Sequence, residues 1–329
     1  QSTIITYLCA TFDHMRIFEG LTDLSHIKNA VVTIGTFDGV HLGHQEILKT
    51  LIAEAEKCEG ESVLLTFYPH PRMVLFPEQT DLQLLQTQAE KLEKLASIGL
   101  QNVVIYPFSK EFADLSAERF VEEILIKGLQ AKMVIIGYDH QFGHNREGNL
   151  AFLKQYAEKG FFDLREIPAE QIDEANISSS KIRKAILGGE ISTANSFLGS
   201  PFELSGTIVK GLQNGRNIGF PTANIRIDDQ QKIIPATGVY AVEMDVAGTT
   251  CRGMMNVGWR PTIEEEKLDR KIEVHLFDFQ KEIYDEACQI RILQFVRAEH
   301  KFPNLEALKV QIQRDEETVR TYFSTAQLS

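Results

Sequence analysis

The sequence predicts two domains, an α/β domain built on a parallel sheet followed by an antiparallel β-barrel domain with a C-terminal helix. Three observations predict it. In the first half, short unbroken apolar runs alternate with helical patterns, as expected of strands covered on both faces by crossover helices. Beyond about residue 200 the runs follow one another with turns and no helices between them, the pattern of a closed or nearly closed barrel. Between the halves, Gly188-Gly189 to Gly199-Ser200-Pro201 breaks the alternation, which places the division near 188–200 and the domains at 15–188 and 189–329.

The bulk properties bound the function. A chain of 329 residues, 43% hydrophobic and 24% charged, has room for two cores and the composition of an ordinary globular protein. A formal net charge of −12 argues against a broad nucleic-acid surface, though a local cluster can still bind phosphate. Cys9, Cys58, Cys251 and Cys288 form no C-x-x-C pair, so neither a zinc site nor a disulfide framework is indicated. No apolar run approaches the roughly 18–20 residues that span a bilayer, so no membrane partner is expected. No basic-then-apolar leader is evident, and a reduced cytoplasm is the expected compartment. Met15-Arg16-Ile17 is a candidate start, and residues 1–14 are given no function.

Taken in order, the first strand is Val31-Val32-Thr33-Ile34, an apolar run bounded by glycine. A tight loop, Gly35-Thr36-Phe37-Asp38-Gly39-Val40-His41-Leu42, leads into Gly43-His44-Gln45-Glu46-Ile47-Leu48, which opens with helical spacing. Strand, glycine loop and helix start make a phosphate site, because unpaired N–H groups and the positive dipole end face the loop. His41 and His44, three apart, project from one side of the first helical turn. There they could hydrogen-bond α-phosphate oxygens and stabilise charge as pyrophosphate leaves. A glycine turn with two surface histidines is the plainer alternative.

Further strands are expected at Ser62–Phe67, Val103–Tyr106 and Met133–Gly137, with helical patterns ending at Ile98 and covering Ala117–Lys127 and Asn149–Glu158. Ligands of such sheets sit at the carboxyl ends of the strands. Two more loops fall at that edge. Thr66-Phe67-Tyr68-Pro69-His70-Pro71 is stiffened by its prolines and either sets aromatic rings where a flat ring could stack or is a proline turn with core aromatics. Gly137 to Gly148, containing Asp139, is polar and glycine-punctuated; it is a ligand loop or simply a solvated one. Next, Ile177-Ser178-Ser179-Ser180-Lys181-Ile182-Arg183 starts a helix that runs to about Leu187. Hydroxyls and free N–H groups there, with Lys181 and Arg183 behind, make a second phosphate cradle or a plain capped helix.

A short helix over Ile191–Leu198 ends at glycine and proline. The barrel strands are expected at Gly206–Lys210, Gly238–Val246, Thr250–Val257, Ile272–Phe279 and Ala287–Val296, before an amphipathic helix over Asn304–Phe323. The run Gly211-Leu212-Gln213-Asn214-Gly215-Arg216-Asn217-Ile218-Gly219-Phe220-Pro221-Thr222-Ala223-Asn224 is not a Walker A loop, since it lacks Gly-Lys-Ser/Thr. It still holds what phosphoryl transfer needs: glycines for backbone approach, a hydroxyl and an amide oxygen for Mg²⁺, and Arg216. A glycine-rich hairpin and proline turn is the alternative. In Lys271 to Phe279, alternation sets Ile272, Val274 and Leu276 on one face and Glu273, His275 and Phe277 on the other. Glu273 is thus a solvent-facing residue of an ordinary strand or the acceptor that a kinase wants.

Gly-Thr-Phe-Asp-Gly-Val-His-x-Gly-His at 35–44 resembles the signature of the superfamily that transfers AMP or CMP to a phosphate. Gly-Phe-Pro-Thr-Ala-Asn at 219–224 resembles the riboflavin kinase signature, and the two together resemble the bacterial bifunctional riboflavin kinase/FMN adenylyltransferase family. The resemblance covers about residues 16–325 and implies a Rossmann-like nucleotidyltransferase domain before a kinase barrel. It implies ATP, riboflavin and FMN as substrates, FAD as product, Mg²⁺ as cofactor and flavoproteins as recipients. By the resemblance, Gly35, Thr36, Phe37, Asp38 and Gly43 bind ATP, while His41 and His44 stabilise adenylyl transfer.

Ile-Ser-Ser-Ser-Lys-Ile-Arg at 177–183 resembles the element with which the superfamily grips triphosphate, which assigns Ser178, Ser180, Lys181 and Arg183 to it. Ser180 stands for the usual threonine, and Lys181 stands where arginine is common, keeping charge but losing a bidentate fork. In the barrel, Gly211, Gly215, Arg216 and Gly219 would cover the second ATP, Thr222 and Asn224 would hold Mg²⁺, and Glu273 would be the base. Phe67, Asp139 and Arg297 are the implied flavin contacts, and Tyr284-Asp285 replaces the family's Tyr-Gly, which puts that turn in question.

Two other readings stay open. A one-activity nucleotidyltransferase with a flavin-sensing barrel would lose all turnover on His44→Ala. A nucleotide- or RNA-binding adaptor would bind RNA tightly and lose that binding steeply with salt, against the acidic balance of this chain.

Overall fold

The structure is a computed structural model that describes residues 14–78, 82–138, 140–168, 177–211, 215, 219–260 and 269–326. By its contacts the chain divides into two compact units, Gln1–Ser179 and Ser180–Ser329.

The first unit holds a six-stranded sheet: β1 (Arg16–Glu19), β2 (Val31–Ile34), β3 (Ser62–Tyr68), β4 (Asn102–Pro107), β5 (Met133–Gly137) and β6 (Asp163–Ile167). The order is β1-β4-β3-β2-β5-β6, and every pair is parallel. Adjacent residues of the central strands sort into separate cores. Val32, Ile34, Val63, Leu65 and Val104 pack on one face of the sheet. Val31, Leu64 and Val103 pack on the other, against Leu48, Leu51, Leu92 and Leu95. This two-sided burial is why these strands read as unbroken apolar runs. The edge strands β1 and β6 were not predicted, because edges carry charge: Arg16 and Glu19 on one, Asp163, Arg165 and Glu166 on the other.

The helices of this unit are α1 (Leu42–Lys57), α2 (Pro71–Leu75), α3 (Gln88–Ser97), α4 (Lys110–Ala113), α5 (Ala117–Arg119) and α6 (Leu150–Glu158). Thr87 and Glu90 form a reciprocal capping box at the start of α3. The helix expected over Ala117–Lys127 is instead α5 running into a π-helix, Phe120–Gly128.

Helix α7 (Ser179–Leu187) starts at the last residue of the first unit, and α7 and α8 (Ile191–Leu198) precede the barrel. Its strands are β7 (Phe202–Val209), β8 (Ala223–Arg226), β9 (Gly238–Val246), β10 (Thr249–Arg260), β11 (Asp269–Leu276) and β12 (Ala287–Arg297). They close in the order β10-β11-β8-β7-β12-β9, all antiparallel. β8 takes up the end of the glycine-rich run, and its four residues complete the barrel. The last helix, α9 (Leu305–Ala326), lays Val319 and Phe323 on Phe220, Val239, Ala241, Met254 and Phe277. Asp285, where the related family has glycine, takes φ +64°, and its N–H donates to the Ile208 carbonyl at 2.9 Å. Aspartate tolerates this left-handed conformation better than most residues, so the turn forms without glycine.

Candidate active site

In the first unit, β2 lies between β3 and β5, where the strand order changes direction, and the loop after β2 opens at the carboxyl edge. That loop is tightly bent, with φ of +49° at Phe37, +90° at Gly39 and +37° at Val40. Asp38 is buried, and its carboxylate accepts the Leu85 N–H at 3.0 Å and the Gln86 N–H at 3.4 Å. The Ser179 hydroxyl donates to the Asp38 carbonyl at 2.9 Å, so the segment carrying Ser178 and Ser179 is seated on the loop.

His41 caps α1: its Nδ1 accepts the His44 N–H at 3.4 Å. A neutral ring that accepts at Nδ1 carries its proton on Nε2, which is left to donate to an anion. The two imidazoles stack with centroids 3.7 Å apart and a 17° interplanar angle, and Phe37 stacks on His44 at 4.6 Å. Burial pulls the His41 pKa down to about 4. His44 is held well below the usual imidazole range by burial, then by His41 and by Lys91. Both rings are therefore neutral at pH 7, and what they can offer is an N–H donor rather than a positive charge. The His44 Nδ1 atom is buried without a hydrogen-bond partner.

Beside this loop a cleft of about 790 Å³ is lined by Gly35, Thr36, Phe67, Phe112, Phe120 and Phe142, among others. Phe67 meets Phe108 edge-on and Phe112 at a tilt, each at 5.6 Å, leaving an aromatic wall for a flat ring. Asp139 lies outside the described residues.

The second unit has its own cleft, about 560 Å³, lined by Thr222, Asn256, Lys271, Glu273 and the inner side of α9. Glu273 on β11 pairs in register with Asn224 of β8 on one side and Asn256 of β10 on the other. Lys271 reaches Glu273 Oε1 at 2.7 Å. His275 Nδ1 lies 2.7 Å from the Pro221 carbonyl oxygen and its ring meets Phe220 edge-on, which holds the turn that presents Thr222.

The glycines are there for close approach. A Cβ on Gly211 would fall 2.1 Å from Asn224 Nδ2, and one on Gly215 would fall 2.3 Å from the Phe220 carbonyl oxygen and 3.4 Å from Thr222 Oγ1. Gly219 turns at φ +90°, and Arg216 lies outside the described residues. Thr222 and Asn224 offer a hydroxyl and an amide oxygen, hard donors of the kind that suit Mg²⁺. Among the described residues no group of three His, Cys, Asp or Glu could hold a metal ion by itself. A magnesium ion here would complete its shell with phosphate and water.

The FAD synthetase family matches residues 23–181, and the riboflavin kinase family matches residues 198–323. The bifunctional riboflavin kinase/FMN adenylyltransferase of Listeria monocytogenes is 38% identical over 90% of this chain and 93% of its own length. The chain belongs to the bifunctional riboflavin kinase/FMN adenylyltransferase family. Its Escherichia coli K12 member is 35% identical over 94% of this chain and 98% of its own. The crystal structure of the macrolide-efflux protein from Streptococcus pneumoniae superposes with a TM-score of 0.84 at 32% identity, covering 93% of this chain and 98% of that one. Among the described residues no helix is long and apolar enough to cross a membrane.

Of the residues that the family resemblance singled out, Gly35, Thr36 and Phe67 line the first cleft, and Gly215, Thr222, Glu273 and Arg297 line the second. The Asp38 carboxylate is turned onto backbone N–H groups, and the Arg297 guanidinium is taken up by Asp315, at 2.7 Å from Nη2. Sequence reasoning missed Lys91, Asn256, Lys271 and Asp315. Lys271 could have been found from its i−2 spacing to Glu273, which puts both on one strand face. The others come from distant segments and carry no local signal.

Proposed function

We propose that the two clefts divide the family's two reactions between them, with the adenylyltransferase at 15–188 and the kinase at 189–329. The observation that carries this is that each unit holds its own cleft with its own chemistry: a glycine loop bearing neutral stacked imidazoles beside one, a carboxylate flanked by asparagines in the other. As a family member the chain makes FAD in two ATP-dependent steps.

In the barrel, the terminal ribityl oxygen of riboflavin attacks the γ-phosphorus of ATP. Glu273 takes the hydroxyl proton, the bond to the β-phosphate oxygen breaks, and FMN and ADP form. Mg²⁺ held by Thr222 and Asn224 would offset the phosphate charge. Gly211, Gly215 and Gly219 let the backbone close on the nucleotide, with Arg216 beside it.

In the first unit, an FMN phosphate oxygen attacks the α-phosphorus of a second ATP, the bond to the β-phosphate breaks, and FAD and pyrophosphate leave. His41 donates from Nε2, and His44 with it, to the oxygens on which charge builds. Gly35, Thr36, Phe37, Asp38 and Gly43 shape the ATP loop, and the family resemblance assigns the departing phosphates to Ser178, Ser180, Lys181 and Arg183. Phe67 and Asp139 contact the flavin there, and Arg297 lies on the flavin side of the kinase cleft. The compartment we assign is the cytoplasm, and flavoproteins are the recipients of FAD.

Chromatography of products from riboflavin, ATP and Mg²⁺ tests the assignment. Unaltered protein gives FMN and FAD, and His44→Ala stops at FMN. Glu273→Gln makes no FMN but converts added FMN to FAD. Loss of both products in His44→Ala would overturn the division of labour and favour a single adenylyl site with a sensing barrel.

A further inference from the structure

A lysine lies buried beneath the glycine loop. Lys91, in the first turn of α3, is 7% exposed, and its Nζ donates to the Thr66 hydroxyl at 3.2 Å and to the Thr36 carbonyl at 3.4 Å. The Thr66 hydroxyl itself donates to the same Thr36 carbonyl at 3.3 Å. Both acceptors of the ammonium are neutral. Burying an ammonium costs several kcal/mol unless an opposite charge repays it. Asp38 attracts the charge, but burial dominates and brings the Lys91 pKa down to about 8. The Asp38 oxygens already accept the Leu85 and Gln86 N–H groups. The buried cation is thus compensated only in part by the protein's own contacts.

The position of that cation is specific. The carbonyl it holds belongs to the residue between Gly35 and Phe37, and Phe37 stacks on His44, which stacks on His41. Burial first, and then His41, oppose protonation of His44, and the Lys91 charge adds to that in the same direction. On the adenylyl reading, the reaction brings anionic phosphate to the outer side of this loop.

We propose that Lys91 is a positioning residue for adenylyl transfer, fixing the Thr36 carbonyl and the stacked Phe37–His44–His41 rings from the buried side of the loop and setting a positive charge behind the α-phosphate. This rests on the adenylyl reading of the first cleft. Substrate binding completes the compensation of the buried charge, and the field is strongest where negative charge grows in the transition state. The effect therefore falls on kcat more than on KM.

The test is steady-state FAD formation from FMN and ATP, with FMN formation from riboflavin followed in the same preparations. Lys91→Met keeps the stem and loses charge and donor; its kcat for FAD is expected to fall about 100-fold, the scale of losing one transition-state donor. KM for FMN and ATP should stay within about threefold, and FMN formation should be unchanged. Lys91→Arg, which keeps the charge, should lie within about tenfold of the unaltered enzyme. A methionine variant with unaltered kcat, or an arginine variant no better than methionine, overturns the proposal. Should Lys91→Met fail to fold, Lys91→Gln is read by the same kcat: a fall of that size supports the proposal and an unaltered rate overturns it. Unaltered protein that makes FMN but no FAD would instead remove the adenylyl reading itself, a result independent of any Lys91 variant.

Discussion

Replacing Arg297 by methionine would strand a buried carboxylate. Asp315 is only 3% exposed, and Arg297 meets it through Nε at 2.9 and 3.0 Å and through Nη2 at 2.7 Å. Removing one partner of such a pair costs about 3–5 kcal/mol, because the remaining charge stays desolvated. Gln311 would still donate to Asp315 Oδ1 at 2.9 Å, which points to the lower end, about 3 kcal/mol. For a unit of this size that is a fall of roughly 10 °C in Tm. The pair ties the end of β12 to α9, and α9 walls the kinase cleft through Leu305, Leu308 and Ile312. Kinase activity should therefore fall together with stability. The assay is thermal and urea unfolding of Arg297→Met beside riboflavin saturation curves. Adding Asp315→Leu should recover most of the loss, since an apolar pair leaves no charge to strand. A loss below about 1 kcal/mol, with a raised riboflavin KM alone, would refute the reasoning and return Arg297 to the role of a flavin contact.

Three further predictions follow from single residues. His41 has a folded pKa of about 4 against 6.5 in the unfolded chain, so between those values the unfolded state binds the extra proton. Stability is thus complete above pH 6.5 and falls by about 3 kcal/mol as pH drops toward 4; urea titrations of His41→Asn should show a shallower acid slope. Gly211→Ala would drive a Cβ into the Asn224 amide, a flexible side-chain end, so unfolding should shift by less than about 1 kcal/mol while kinase kcat falls at least about tenfold. Asp285→Gly relieves a left-handed aspartate, and thermal unfolding should show a gain of up to about 1 kcal/mol with activity retained.

Much of the fold was legible because its signals are local. Val31–Ile34, Met133–Gly137, Ile191–Leu198 and Gly238–Val246 have the bounds read from the sequence, since glycine or burial on both faces marks their ends. The edge strands and β8 were hidden, the former by charge and the latter by a motif whose glycines dominated the reading.

The sequence by itself determined the family and the motif residues, because a glycine loop, two histidines and a threonine–asparagine pair depend on spacing along the chain. Only the tertiary structure decided what surrounds them. Lys91 reaches the loop from a helix that starts some fifty residues on, Asn256 flanks Glu273 through barrel register, and Asp315 meets Arg297 from the last helix. Burial is likewise a tertiary property: it makes His41 and His44 neutral donors and leaves a lysine beneath them. Spacing along a chain specifies which groups are present, but desolvation and long-range pairing set their charge and their partners.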